Sequence, residues 1–244
     1  MSIVRAIAQA GKRDLHLVSS PGAIGPDLLI AAGCVGTLTT PFLTMEQFGL
    51  APAFRRAASD GTLDIREVDG PALAAGLRAA ADDLPFGIIH DTGTDLPSVN
   101  PHNYRPFEDP FGGPMKLFAV PALRADVAVI HGQRGDVYGN VQYFGATYFD
   151  QLLARSATTV IATVDTIVDT SVIRESPHLT KVPGMLVTAV VQQSTAAAPC
   201  GSHSLYEPDL EHMRLYATMG ASREGAADYL EKFVHGVQDR SVTT

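Results

Sequence analysis

Glu46, in the run TMEQFGLAP, stands just past an apolar strand-like stretch and just before a helix-like one. Open α/β sheets bind ligands at the carboxyl ends of their strands, and a carboxylate there can act as nucleophile or base. An acid near the positive end of a helix dipole is the plainer role, and the residues by themselves favour it. The loop SSPGAIGPD also runs from strand to helix. Gly22 and Gly25 there would let backbone N–H groups approach a phosphate. The run matches neither GxGxxG nor the Walker pattern, and a tight turn with a helix cap explains it equally well. The richest polar cluster is HGQRGDVYGNVQYFG, residues 131–145. Gly139 and Asn140 tolerate positive φ, so a turn explains them. It does not explain His131, Arg134 and Asp136 together, which need mutual pairing or a ligand. Ser202 and His203 are adjacent in CGSHS, and neighbours in sequence rarely orient as nucleophile and base. The eight histidines form neither an HxxxH nor an HExxH pair, so their spacing points to no metal site.

The elements that position these residues must come from a chain of 244 residues with 45% hydrophobic content. That suffices for a large core and for one domain over 1–244. Charged residues make up 18%, below the usual ~25%, and mean hydropathy is +0.09. Such a surface implies a covering partner chain. A net charge of −8 with no basic block argues against nucleic acid. Every apolar run is broken short of the ~18 residues that a membrane span needs. Arg5 interrupts the first apolar run, which excludes a signal peptide. Cys34 and Cys200 lack CxxC spacing and fit free thiols in the cytoplasm.

Periodicity predicts a helix over 2–10, a strand over 14–20, and a helix ending at Gly33. A strand broken by Pro41, a helix closed by Gly61 and the alternating strand TLDIREV follow. Leu73, Leu77, Ala80, Ala81 and Leu84 form a helical stripe. This alternation predicts a twisted, mainly parallel α/β sheet flanked by helices. The rhythm breaks at residues 90–114, a proline- and glycine-rich stretch read as a small insert or functional loop. Strand character resumes in MKLFAVPALRADVAVIHGQ, TTVIATVDTIV and GMLVTAVVQQ, around a helix in TYFDQLLARSA. Two helical stripes close the chain. One holds Leu210, Met213 and Ala217, the other Ala226, Tyr229, Leu230, Phe233 and Val234.

Several segments, in order, resemble the alpha (A) subunits of family I coenzyme A transferases of the glutaconate type. They are SIVRAIAQAGKRDLHLVSS, DLLIAAG, FGLAPAFRRAASDG, LPFGIIHDTGTDL with FEDPFGG, the ALRADVA strand with its Gly-Asn turn, and APCGSHSLYEPDLEHMRLY. The resemblance covers nearly the whole chain. It implies an α/β CoA-transferase-like fold and transfer of coenzyme A between carboxylic acids. In that reaction a glutamate attacks an acyl-CoA and carries the CoA as a glutamyl thioester. It implies no permanently bound cofactor, with the CoA thioester as substrate.

In the glutaconate type the reacting glutamate belongs to the beta subunit, in a SENG-like motif that this chain lacks. Glu46 takes the pseudo-equivalent position and is a weak catalytic candidate. The resemblance therefore implies a hetero-oligomer with a beta subunit, α2β2 or larger. It places Gly49, Thr92, Gly93, His131, Arg134, Asp136, Gly139, Asn140, Gly201, Ser202 and His203, with Gly22 and Gly25, among loops lining substrate or subunit interface. Two departures stand out. The family's GAHP reads GSHS here, and Met1 aligns with an internal family segment, so a first strand–helix unit with a glycine loop is expected upstream. The same scaffold also admits a CoA-ester ring-opening hydrolase subunit or a non-catalytic scaffolding subunit.

Overall fold

The computed structural model describes residues 1–19 and 22–236. In chain order the elements are α1 (Ser2–Gln9), β1 (Leu15–Val18), α2 (Ile24–Ala31), β2 (Val35–Thr40), α3 (Pro52–Asp60), β3 (Asp64–Glu67) and α4 (Gly70–Ala81). Then come β4 (Phe86–His90), α5 (Leu96–Val99), β5 (Arg105–Phe107), β6 (Leu117–Pro121), β7 (Ala125–Gly135), β8 (Val141–Gln142), α6 (Asp150–Ser156) and β9 (Ala157–Ile167). The last are α7 (Thr170–Glu175), β10 (Thr180–Val182), β11 (Ala189–Gln192), α8 (Leu210–Met219) and α9 (Arg223–Leu230).

The α/β class expected from the alternation holds, but the strands divide among three sheets. One has the order β1-β2-β3, with β1 parallel to β2. A five-stranded sheet runs β10-β8-β7-β9-β11, parallel at β7-β9-β11 and antiparallel at β8 and β10. The third, β4-β6-β5, is antiparallel throughout. It absorbs the proline-rich stretch: α5 and β5 lie inside residues 90–114, and β5 pairs with β6. Pro106 sits in that edge strand, where a missing N–H is tolerated. β4, α7 and β10 have no counterpart among the predicted elements. Leu84, expected on the α4 stripe, falls beyond the helix and is exposed, because α4 ends at Ala81. Ser20, predicted to end the first strand, lies outside the described residues.

The chain forms two compact units. The first comprises residues 1–65, 198–200 and those from 208 on. Its core joins Ile24, Leu28 and Leu29 of α2 to Met45, Tyr216 and Tyr229. One acid organises it. Asp27, in the first turn of α2, is fully buried. It accepts the backbone N–H groups of Ala53 at 3.1 Å and Phe54 at 2.7 Å, and the Tyr216 hydroxyl at 2.6 Å. The N-cap of α3 is Ala51, which cannot cap its own helix, so Asp27 satisfies those orphan donors from outside. Burial raises the Asp27 carboxyl, and its three hydrogen bonds oppose that rise.

The second unit comprises residues 66–197 and 201–207. Its core covers one face of the five-stranded sheet, with Ala128, Ile130, Val160, Ala162 and Val164 packed with Ala154 of α6. At the start of α6, burial pushes the Asp150 carboxyl up to about 6.

Two outcomes follow for stability. Asp27→Ala leaves two amides and a phenol without their acceptor. It should cost about 3 kcal/mol in urea unfolding, and Tyr216→Phe about 1 kcal/mol. Asp150 binds its proton more tightly in the folded chain, so its contribution is present at acid pH and lost as pH rises through about 6. Asp150→Asn should therefore raise Tm at pH 8, with the two Tm curves converging near pH 4.

Candidate functional site

β7 and β9 run parallel for eleven residues each, with Val127 opposite Thr159, Val129 opposite Ile161 and His131 opposite Thr163. Side chains alternate across a strand, so Val127, Val129, His131 and Gln133 share a face with Thr159, Ile161, Thr163 and Asp165. At the carboxyl end of that face lies a polar cluster. Asp165 is buried in an otherwise uncharged strand. Its Oδ2 accepts the Ser202 hydroxyl at 2.9 Å, and its Oδ1 accepts the Tyr206 hydroxyl at 3.0 Å. His131 completes the group. Its Nδ1 is 3.2 Å from Thr163 Oγ1. Its Nε2 lies 3.3 Å from Asp165 Oδ2, within ion-pair range but off hydrogen-bond alignment. Burial holds the imidazole below its ordinary value, and the Asp165 charge works against that. Gln133 donates to Ser202 Oγ at 3.3 Å and accepts the Phe144 N–H at 3.1 Å.

The segment 201–207 is closed on itself, Ser202 and Tyr206 exchanging backbone hydrogen bonds of 2.9 and 3.1 Å. Asp165 fixes it to the sheet. Ser202 and His203 diverge: the serine is buried on Asp165, while the exposed His203 lies against Gly145. Gly201 is exposed at the start of the same segment.

His131, Arg134 and Asp136 do not pair with one another, which removes one of the two accounts that their clustering left open. Arg134 Nε donates to Gln142 Oε1 at 2.9 Å, and its guanidinium lies over the Phe144 ring at 5.2 Å. Asp136 is fully buried and folds the turn around itself. It accepts the N–H of Tyr138 at 3.1 Å and of Asn140 at 3.0 Å, and the Asn140 side-chain amide at 2.9 Å. Asn140 Oδ1 in turn accepts the Gly184 N–H at 2.9 Å. Gly139 has φ +85°, a conformation in which a Cβ is strained, and a Cβ there would also press on Val187. The Gly-Asn pair and the aspartate are thus one turn motif. A cavity of about 500 Å³ opens beside it, with Tyr138, Thr170, Arg174 and Thr180 in its lining.

Thr92 and Gly93 lie at the start of the proline-rich stretch. Thr92 donates to Asp69 Oδ2 at 2.7 Å, and Asp69 caps α4. Gly93, at φ +75°, donates its N–H to Asp91 at 2.9 Å.

The remaining candidates belong to the first unit. Glu46 is exposed and starts a 3₁₀ turn with φ +53°, a left-handed conformation that costs a non-glycine residue about 1–2 kcal/mol. Gly49, at φ +90°, closes that turn by donating to the Glu46 carbonyl at 2.9 Å. Gly22 bridges to Leu43, and a Cβ on it would overlap Leu43 and Ser19, so close packing accounts for this glycine. Gly25 lies in the first turn of α2, and a Cβ on it would make ordinary contact with Val4. Ser20 and Pro21 of the same loop lie outside the described residues. Among the described residues, no three His, Cys, Asp or Glu side chains gather where they could hold a metal ion.

Sequence reasoning missed Asp165, Tyr206, Gln133 and Gln142. A signal existed for the first: Asp165 is the lone charge in TTVIATVDTIV, and a charge inside a buried strand demands partners.

Residues 1–193 match the coenzyme A transferase family. The chain belongs to that family. It is 33% identical, over 96% of its length and 83% of the other protein, to the A subunit of a 3-oxoadipate CoA-transferase of Pseudomonas knackmussii. It is 32% identical, over 98% of its length and 84% of the other, to the IpdA subunit of a cholesterol ring-cleaving hydrolase of Mycobacterium tuberculosis. A protein of Archaeoglobus fulgidus is 39% identical over 98% of this chain, which spans 54% of that protein's length. Among solved structures, the glutaconate CoA-transferase of Acidaminococcus fermentans superposes with a TM-score of 0.91 at 25% identity, covering 98% of this chain and 80% of that one. A variant of the decarboxylase AibA/AibB superposes at 0.84 with 34% identity, covering 96% of this chain and 87% of that one.

In this member of the CoA-transferase family, removing the Asp165 charge makes a charged imidazole less favourable. Asp165→Asn should therefore lower the His131 pKa further, as read by NMR titration of the ring. Asp165→Ala should in addition speed amide exchange at Ser202 and Tyr206, whose hydroxyls lose their acceptor.

Proposed function

We propose that this chain is the A subunit of a two-chain CoA-transferase, and that a B subunit supplies the glutamate that carries CoA. One observation carries the reading: all eight glutamates of the chain are exposed. A glutamyl thioester needs a site that excludes water, or the activated acyl group is lost to hydrolysis. No glutamate of the chain sits in such a site by itself. Glu46, on a strained strand-to-helix turn, is no exception. The named relatives add support, since the A subunits of a 3-oxoadipate and of a glutaconate CoA-transferase both align with this chain.

The chemistry balances in four displacements. The B-subunit carboxylate adds to the thioester carbonyl of an acyl-CoA and expels the CoA thiolate, leaving an acyl–glutamyl anhydride. The thiolate then attacks the glutamyl carbonyl and releases the first acid as its carboxylate. The enzyme now holds CoA as a thioester. A second carboxylic acid reverses both displacements and leaves with the CoA. The present chain contributes a fixed 201–207 segment and the His131–Asp165 pair at the carboxyl end of the β7–β9 face. A half-buried imidazole whose pKa is held below its ordinary value can donate a hydrogen bond to developing negative charge without bringing an ion into the site.

A second reading has an observation of its own, the near-equal identity to a ring-cleaving hydrolase subunit. In it, water adds to a ring carbonyl of a CoA-linked substrate, the adjacent ring carbon–carbon bond breaks to leave a carboxylate, the departing carbon takes up a proton, and the CoA thioester stays intact. The two readings separate in one experiment on the complex. With acyl-CoA and no acceptor acid, the transferase should accumulate a CoA-mass adduct on the B subunit while releasing no free CoA. Opening of a CoA-linked cyclic ketone with no acceptor acid present, CoA staying on the product and no adduct forming on the B subunit, would establish the hydrolase instead. Glu46→Ala should keep the adduct and lower kcat/KM less than tenfold, far short of the roughly 10⁴-fold or greater loss on deleting a nucleophile. Loss of the adduct in that variant would move the nucleophile into this chain.

A further inference from the structure

A cavity of about 500 Å³ opens where β7 and β9 deliver their carboxyl ends. These parallel strands stop at Gly135 and Ile167, and the Val168 N–H joins them by donating to the Gly135 carbonyl at 2.8 Å. Open α/β sheets bind their ligands at such ends. The 136–140 turn contributes Tyr138 and Asn140 to the lining, and α7 contributes Thr170, Ile173 and Arg174. Pro177 and Thr180 complete it. The walls are held in place without a ligand. Gln142 is fully buried and donates to the Ile173 and Ser176 carbonyls at 3.1 and 2.9 Å, and to Thr180 Oγ1 at 3.1 Å. Asn140 Oδ1 holds the Gly184 N–H, and the Thr170 hydroxyl donates to Asp136. A preformed site of this size suits a small molecule and loses little affinity to ordering.

The charge of the lining selects the occupant. It holds no carboxylate, and its cation is uncommitted: among the described residues Arg174 donates no hydrogen bond and forms no ion pair. Asp169 lies close enough to feel the guanidinium, but that carboxylate accepts the Ser171 N–H and hydroxyl instead, at 2.8 and 2.7 Å. A guanidinium presents two parallel donors that match an oxyanion. Phosphate fits poorly, because a dianion calls for further cations or a nest of backbone amides. The amides of the turn are already taken. Those of Tyr138 and Asn140 go to the Asp136 carboxylate, and that of Gly139 to the Asp136 carbonyl. A singly charged carboxylate needs only the fork. Behind it, Ile173 and Pro177 offer apolar contact to a carbon body, and Tyr138 a ring. We propose that this cavity is a binding site for a small organic carboxylic acid with an apolar or aromatic body, held by Arg174. No lining residue belongs to the His131–Asp165 cluster, and the site does not depend on the two-chain reading above.

Benzoate is the probe, read by NMR from the Ile173 methyl groups of the isoleucine-labelled full chain, with Ile173→Val assigning the signals. Benzoate should shift them saturably, with a Kd of about 1 mM or tighter. Benzamide keeps the ring without the charge and should bind at least about 10-fold more weakly. Phenyl phosphate should bind no more tightly than benzoate. Arg174 is exposed, so Arg174→Gln should move Tm by about 2 °C or less. It should weaken benzoate roughly 10- to 100-fold, the range for a lost charge-assisted hydrogen bond. Arg174→Lys keeps the charge without the fork and should fall between the two. Tyr138→Ala, at a residue 72% exposed, should weaken benzoate by about threefold with the fold intact. Ile173 signals that do not move with benzoate would overturn the site. So would equal affinity for benzamide, or undiminished benzoate binding in Arg174→Gln and Tyr138→Ala. Tighter binding of phenyl phosphate would overturn its assignment to carboxylic acids.

Discussion

The parallel pairing of β7 with β9 is the constraint on which the second unit depends. It holds two eleven-residue strands in one register. That register decides which side chains meet: a histidine opposite a threonine, with an aspartate two residues further on. Because side chains alternate, a slip of one residue would send Asp165 into the packed face and Val164 into the polar cluster. The apolar residues of the covered face forbid the slip. Packing on one side of the sheet thus fixes chemistry on the other.

Each unit has its own buried carboxylate, used differently. Asp27 substitutes for a missing helix cap, drawing its donors from α3 and from Tyr216 of α8. Asp165 anchors a returning segment through two hydroxyls and faces an imidazole. Desolvation of either acid is costly, and the hydrogen bonds offset it in full only when every donor is in place. Such residues specify a single arrangement better than apolar packing does, because few alternatives satisfy the same set of donors.

Much of this is legible in the sequence. Helices α1, α3, α4 and α6 and strands β2, β3, β7 and β9 follow from periodicity and from glycine stops such as Gly61, which takes the left-handed conformation expected of it. The Gly139-Asn140 turn is readable from its residue types. The partition into three sheets is not, since pairing partners are set by tertiary packing and short strands such as β8 and β10 leave little pattern. The site is half legible. His131 and Ser202 stand out as polar residues in a suspicious context, but what joins them is Asp165, distant in sequence from both. Arg134 and Asp136 are less legible: their proximity in sequence suggests mutual pairing or a ligand, and in the fold one reaches Gln142 and the other its own turn.

The distance in sequence between Asp165 and its hydroxyl partners has a consequence for synthesis. Ser202 follows Asp165 by 37 residues and Tyr206 by 41. The strands β7 and β9 leave the ribosome first and can pair at once. For a few seconds of elongation, at ~5–20 residues per second, the nascent sheet carries a carboxylate aimed at partners not yet made. In that interval water has to hydrate Asp165, so the polar end of the sheet stays open while the apolar end can close. Arrival of the 201–207 segment seals it. The last strap of the second unit is therefore added after its sheet, and a nascent chain stalled before residue 202 would expose an unsealed acid to the quality-control machinery.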